Sequence, residues 1–324
     1  MTQSILAILA GFALLLWGAD RFVAGASATA RNLGVSPLLI GLTIVGFGTS
    51  APEILISAMA ALDGNPGLAL GNAIGSNITN IALIIGTTAL ISPLQIHSDT
   101  LKREFPILLA TMLVALVLLA DGDLNRIDGA ILLAGLGFML YSVVGLGIRD
   151  RADPLGAEYA AEIPTGMSTP VALAWLVAGL ALLLVSSRML VWGAVNLATM
   201  LGISDLIIGL TIVAIGTSLP ELAASVVSAL RGEDDIAIGN VIGSNMFNLL
   251  AVMGLPGVIH PAAVPPEVLE RDFLIMIGLT LALFAMSHGL RGPGRVNRIE
   301  GSLLLLAFVG YQGLLYYQTV GAGR

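Results

Sequence analysis

Glu53 and Glu221 are carboxylic acids set inside apolar runs. Each closes a six-residue string, GTSAPE over 48–53 and GTSLPE over 216–221. A threonine and a serine precede each acid by four and three positions, so on a helix Thr49, Ser50 and Glu53 share a face, as do Thr217, Ser218 and Glu221. A second string follows each, GNAIGSNITN over 71–80 and GNVIGSNMFN over 239–248. In it Asn72, Ser76 and Asn80, and again Asn240, Ser244 and Asn248, recur every four residues. Every donor offered is a hard oxygen. Two carboxylates among hydroxyl, amide and carbonyl oxygens suit a hard cation. Calcium takes about 6–8 oxygens in flexible geometry, magnesium resists dehydration, and transition metals ask for imidazole or thiolate. The chain has no Cys, and none of its three His residues lies in these strings. The same oxygens can divide among several sodium ions, which need carbonyls and hydroxyls more than charge. One site would then serve two ions at different times.

The backbone of the strings points the same way. Pro52 and Pro220 lack a donor and clash with the preceding turn, and Gly48 and Gly216 weaken the same stretch. Carbonyls of Gly46, Thr49, Ala214 and Thr217 are therefore expected to turn toward a ligand. Such backbone is tolerated at membrane depth only inside protein or beside a water-filled cavity.

A membrane is what the rest of the chain demands. With 56% hydrophobic and 11% charged residues over 324 positions, it has too little polar surface for a water-soluble globule. The apolar runs do not alternate, so they read as helices, not as barrel strands. The absence of Cys excludes disulfides and thiolate metal sites, and the net charge of −7 says little about partners. No nucleic acid or obligate protein partner is indicated; the lipid bilayer is the expected surrounding, and no cofactor beyond the transported ions is expected. The first apolar stretch has no Lys or Arg before it and is long for a leader, so it reads as a retained helix.

Ten spans are predicted, at 4–30, 36–62, 66–91, 104–120, 127–147, 169–198, 204–230, 235–259, 271–288 and 299–318. A shift of 168 lays GLTIVGFGTSAPE on GLTIVAIGTSLPE, the second strings on each other, Pro93 on Pro261 and Arg103 on Arg271. RIDGAILL at Arg126 echoes RIEGSLLL at Arg298 after four extra residues. The expected organisation is all-α and integral to the membrane: a five-helix repeat over 1–148, a cytoplasmic linker over 149–168 and a second repeat over 169–324. Five is odd, so the second repeat enters from the opposite side and the pair is inverted. With both termini outside, nine Lys and Arg face the cytoplasm (Arg31, Lys102, Arg103, Arg149, Arg151, Arg231, Arg291, Arg295, Arg298) and three face outward (Arg126, Arg271, Arg324). That distribution obeys the positive-inside rule.

GTSxPE followed by GNxxGSNxxN, in both halves, closely resembles the two alpha repeats of the sodium/calcium exchangers, in the cation/calcium exchanger superfamily. The likeness spans essentially the whole chain. It implies an antiporter of the cell membrane that exports Ca²⁺ as Na⁺ enters, by alternating access at a midplane site, and not an enzyme. By position, the resemblance assigns calcium to Glu53, Glu221 and the carbonyls of Thr49 and Thr217. It assigns sodium to Ser50, Ser76, Ser218, Ser244 and the carbonyls of Gly46 and Ala214. Asn80 and Asn248 complete the oxygen set; several family members carry aspartate at the second of these, which argues here against potassium dependence.

Two other readings use the same residues. A buried carboxylate disfavours its charged form, so protons can replace sodium as the driving ion, although the proton-driven branch typically lacks the GTSxP prefix. A cation channel is the reading from another class; channels build filters from repeats around one axis, which an inverted pair does not supply. Asn72 and Asn240 are expected to brace helices instead of binding ions. The first and sixth helices, lacking the strings but carrying Gly11, Gly18, Gly25 and Gly193, are expected to slide against the rest.

Overall fold

The structure is a computed structural model that describes residues 1–34, 46–96, 99–149, 166–232, 234–288 and 294–321. The first part of the second predicted span and most of the linker, at 150–165, lie outside the described residues. Helix dominates because a chain this apolar must satisfy its backbone polar groups internally.

The helical segments among the described residues are, in order, α1 Thr2–Asn32, α2 Gly46–Leu62, α3 Pro66–Ile91, α4 Asp99–Leu118 and α5 Arg126–Arg149. They continue with α6 Thr169–Leu201, α7 Asp205–Leu230, α8 Asp234–Ile259, α9 Val268–Phe273 running on into Leu274–His288, and α10 Arg298–Gly321. Six of them, α1, α3, α6, α7, α8 and α10, are long and apolar enough to cross a membrane by length and composition.

Local sequence sets the element ends alike in the two halves. At α5, Asn125 Oδ1 accepts the N–H groups of Ile127 (2.7 Å) and Asp128 (3.2 Å), and Asp128 Oδ2 accepts that of Asn125 (3.0 Å). At α10, Asn297 Oδ1 accepts from Ile299 (2.9 Å) and Glu300 (3.1 Å), and Glu300 Oε2 from Asn297 (2.8 Å). Both are reciprocal capping boxes.

Not everything is helical. Two ribbons of two residues per strand, too short to be seen in an apolar pattern, correct a purely helical reading. β1 (Leu94–Gln95) pairs antiparallel with β4 (Arg295–Val296), and β2 (Asp123–Leu124) with β3 (Ala262–Ala263). Each ribbon takes one strand from each half. The register Leu94 to Val296 becomes Leu124 to Ala262 when the halves are exchanged. The ribbons sit at opposite ends of α4, whose 20 residues separate β1 from β2 by about 30 Å of helix.

Helices α3 and α8 form the centre, with 78% and 94% of their apolar windows buried, while α1 and α6 are only 29% and 22% buried. Those two pack on each other. A Cβ added at Gly18 would meet Leu182 at 2.9 Å, at Gly25 the Leu176 nitrogen at 2.4 Å, and at Gly193 the side chain of Ile8 at 2.7 Å. Rising numbers on α1 meet falling numbers on α6, so the two helices run antiparallel. Their small residues let the backbones touch, while Leu9, Trp17, Val185 and Trp192 are left exposed on the outer faces. Arg21 lies beside Asp20 (3.5 Å) and over the Trp175 ring (5.0 Å).

Candidate cation site

The two GTSxPE strings fold differently. In α2 the helix continues through Pro52. In α7 a short helical piece, Ala214–Thr217, stops at Ser218 (φ −84, ψ 5), and a new one starts at Leu219 with Pro220 in its first turn, where a missing N–H costs nothing. Two of the four carbonyls expected to face a ligand, those of Gly46 and Ala214, are engaged in this structure. Ala214 O accepts the Ser218 N–H (3.2 Å) and lies 3.3 Å from Thr217 Oγ1; Gly46 O lies 3.2 Å from Thr49 Oγ1.

Asn72 and Asn240 brace the strings symmetrically. Asn72 Nδ2 donates to the backbone carbonyl of Glu53 (3.0 Å), and Asn240 Nδ2 contacts that of Glu221 (3.4 Å). Each then presents its Oδ1 to the other half's threonine, Asn72 to Thr217 (3.3 Å) and Asn240 to Thr49 (3.2 Å). Ser57 and Ser225 were not singled out by sequence, although each stands four residues beyond its glutamate. Ser57 Oγ accepts from Asn72 (3.0 Å) and reaches the Ala69 carbonyl (3.4 Å), as Ser225 reaches that of Ala237 (3.2 Å). Together they clip each glutamate helix to the helix that follows it.

Both carboxylates are fully buried. Ser218 Oγ donates to Glu53 Oε1 (3.3 Å), and Ser244 Oγ donates to Glu221 Oε1 (3.0 Å) while accepting from Ser50 (2.9 Å). The serine three residues before each acid thus serves the acid of the other half, directly or through one hydroxyl. Ser76 Oγ lies 3.5 Å from both Thr217 Oγ1 and Asn72 Oδ1. Asn80 Nδ2 donates to Ser244 (3.2 Å) and to Asn245 Oδ1 (3.0 Å), a contact the sequence did not suggest. Of the residues expected at the site, all are brought into these two interlocked networks except Asn248, which is buried with neither amide atom bonded.

The chemistry follows from what is left over. Glu53 Oε2, Glu221 Oε2, Asn80 Oδ1 and Asn248 Oδ1 are buried and have no partner. The two carboxylates also oppose each other electrostatically. Uncompensated charge is costly in such surroundings, and a cation between the two acids would compensate it. No group of three or more His, Cys, Asp or Glu side chains that could hold a metal occurs among the described residues.

An apolar helical assembly with paired buried acids at its centre is the architecture of a membrane cation transporter. Known proteins agree. The family described as sodium/calcium exchanger protein matches residues 3–145 and 171–317. The putative antiporter CaxA of Alkalimonas amylolytica is 53% identical over 317 residues, covering 98% of this chain and 99% of that protein. The sodium/calcium exchanger MaX1 of Methanosarcina acetivorans is 31% identical over 98% of this chain and 99% of its own length. The inner membrane protein YrbG of Escherichia coli is 42% identical over 96% of each. Among solved structures, the sodium-calcium exchanger NCX_Mj soaked with Na⁺ and Sr²⁺ superposes with a TM-score of 0.68 at 33% identity, over 94% of this chain and 96% of that one. The chain belongs to the sodium/calcium exchanger family of membrane antiporters.

Proposed function

We propose that this protein exports Ca²⁺ in exchange for entering Na⁺, binding each in turn between Glu53 and Glu221. The observation that carries the reading is the pair of fully buried carboxylates, each with one bonded and one unpartnered oxygen. Ca²⁺ coordinates through Glu53, Glu221 and the carbonyls of Thr49 and Thr217. Na⁺ uses Ser50, Ser76, Ser218, Ser244 and the carbonyls of Gly46 and Ala214, with Asn80 and Asn248 supplying further oxygens. For the latter two carbonyls this requires the hydroxyl and amide contacts described above to open. The two acids carry about −2, which one Ca²⁺ neutralises, so more than two Na⁺ per Ca²⁺ would make exchange electrogenic.

All ten segments cross the membrane in this reading, as repeats over 1–148 and 169–324 joined by a cytoplasmic linker, with both termini outside. Two features support inversion: α1 and α6, equivalent under the 168-residue shift, run antiparallel, and the equivalent ribbons lie at opposite ends of α4. The test is flux. Proteoliposomes loaded with Na⁺ should accumulate radioactive Ca²⁺ only against an outward Na⁺ gradient. Accumulation driven by a pH gradient without Na⁺ would establish proton coupling, and flux without any counter-ion would establish a channel.

A further inference from the structure

Gly216 belongs to the second GTSxPE string, and what fills the place of its missing side chain comes from α1. A Cβ built on Gly216 would lie 1.7 Å from Phe12 Cζ, 1.8 Å from Cε1 and 2.6 Å from Cε2. The tip of the ring therefore occupies the notch left by the glycine. Its surroundings join both strings. Phe12 packs against a cluster containing Ile8 and Leu15 of α1, Ala51 of the first string and Val213, whose carbonyl accepts the Thr217 hydroxyl (3.0 Å). The rest of α1 rides on α6, the least buried of the apolar spans.

The counterpart under the repeat behaves differently. Leu180 of α6 stands where Phe12 stands in α1, and it is 43% exposed. One half thus covers its string with a ring, while the other leaves its smaller equivalent facing outward. A transporter that opens to one side at a time needs such a difference, because water must be excluded from the closed side.

We propose that Phe12 is the seal of the ion site on the side of the second string, and that Gly216 lacks a side chain because the ring must seat there for closure. The ring excludes water; it does not touch the ion, so it acts as a positioning and sealing residue. This rests on the exchange reading, and the tests below separate the two.

In proteoliposomes, Phe12→Ala should raise Ca²⁺ flux without counter-ion at least about tenfold, since a route left open to both sides uncouples transport. Gly216→Ala would push the ring from its seat and slow exchange. Combining it with Phe12→Ala should restore exchange at least about threefold over Gly216→Ala alone, the coupling expected of two groups in contact. Leu9→Ala, on the exposed face of the same helix, should change neither. Because the chain has no Cys, a single Ala51→Cys reports access whatever ion is carried. Its labelling by a small water-soluble thiol reagent should quicken when Phe12 is Ala. Unchanged labelling, tight coupling in Phe12→Ala, or no relief in the double variant would overturn the seal. Failure of the unaltered protein to take up Ca²⁺ under a Na⁺ gradient would instead remove the exchange reading, leaving the labelling result to decide the seal.

Discussion

The two halves of this chain spell the same strings and fold them into different arrangements. Helix α2 runs unbroken through Ser50 and Pro52, whereas α7 breaks at Ser218. Asn80 bonds Asn245, yet their counterparts Asn248 and Asn77 are buried with no partner. Elsewhere the halves agree, in the ribbons and in the capping boxes of α5 and α10. The differences gather where polar groups meet at the site, so one local sequence supports two packings there. In the exchange reading proposed above, such a bistable element would let each half take in turn the arrangement the other holds.

The largest expected effect tests whether the halves share one site. Glu53→Gln and Glu221→Gln each remove half of its charge. Each should weaken Ca²⁺ binding at least about 100-fold, the order of about 3 kcal/mol for losing one partner of a buried ionic contact, and abolish Na⁺-driven uptake. The two acids have different serine neighbours, but the losses should match. Robust transport by either variant would mean that the acids serve separate sites.

A smaller effect should expose the asymmetry itself. Asn80→Ala deletes contacts to Ser244 and Asn245, whereas Asn248→Ala deletes none. Calorimetry in detergent should show Ca²⁺ binding about tenfold weaker for the first, as buried hydrogen bonds of about 1–3 kcal/mol predict, and a smaller loss for the second. Equal losses would break the comparison. Asn248→Asp sharpens it: with a third carboxylate the site carries about −3 and one Ca²⁺ leaves it negative, so an additional monovalent cation should travel with Ca²⁺. The charge moved per Ca²⁺ under imposed voltage measures this.

Much of this was legible in the sequence, for definite reasons. Intramembrane acids are costly, so their recurrence at a shift of 168 marked Glu53 and Glu221, and the four-residue spacing marked Asn72, Ser76 and Asn80. The roles of Ser57 and Ser225 were within reach, since both follow their glutamates by four. The asymmetry was not, because Ser50 and Ser218 sit in matching strings and only tertiary contacts tell them apart. Phe12 carries no periodic signal in a helix that is apolar almost all round. The ribbons escaped notice because two residues have no pattern.

The smallest expected effect is the control for all of this. Asn125 and Asn297 cap α5 and α10 with the same two N–H contacts and the same reciprocal acid. Replacing either by Ala should cost about 1 kcal/mol, the usual price of a lost cap, with little change in transport because neither lies near the glutamates. Thermal unfolding in one detergent reads the cost as a shift in Tm, and the two shifts should be equal within error. Equal caps beside unequal Asn80 and Asn248 would place the asymmetry in the site alone. Caps that also differ would mean that it extends through the whole of each half, and that switching access repacks entire repeats instead of a few polar contacts around two acids.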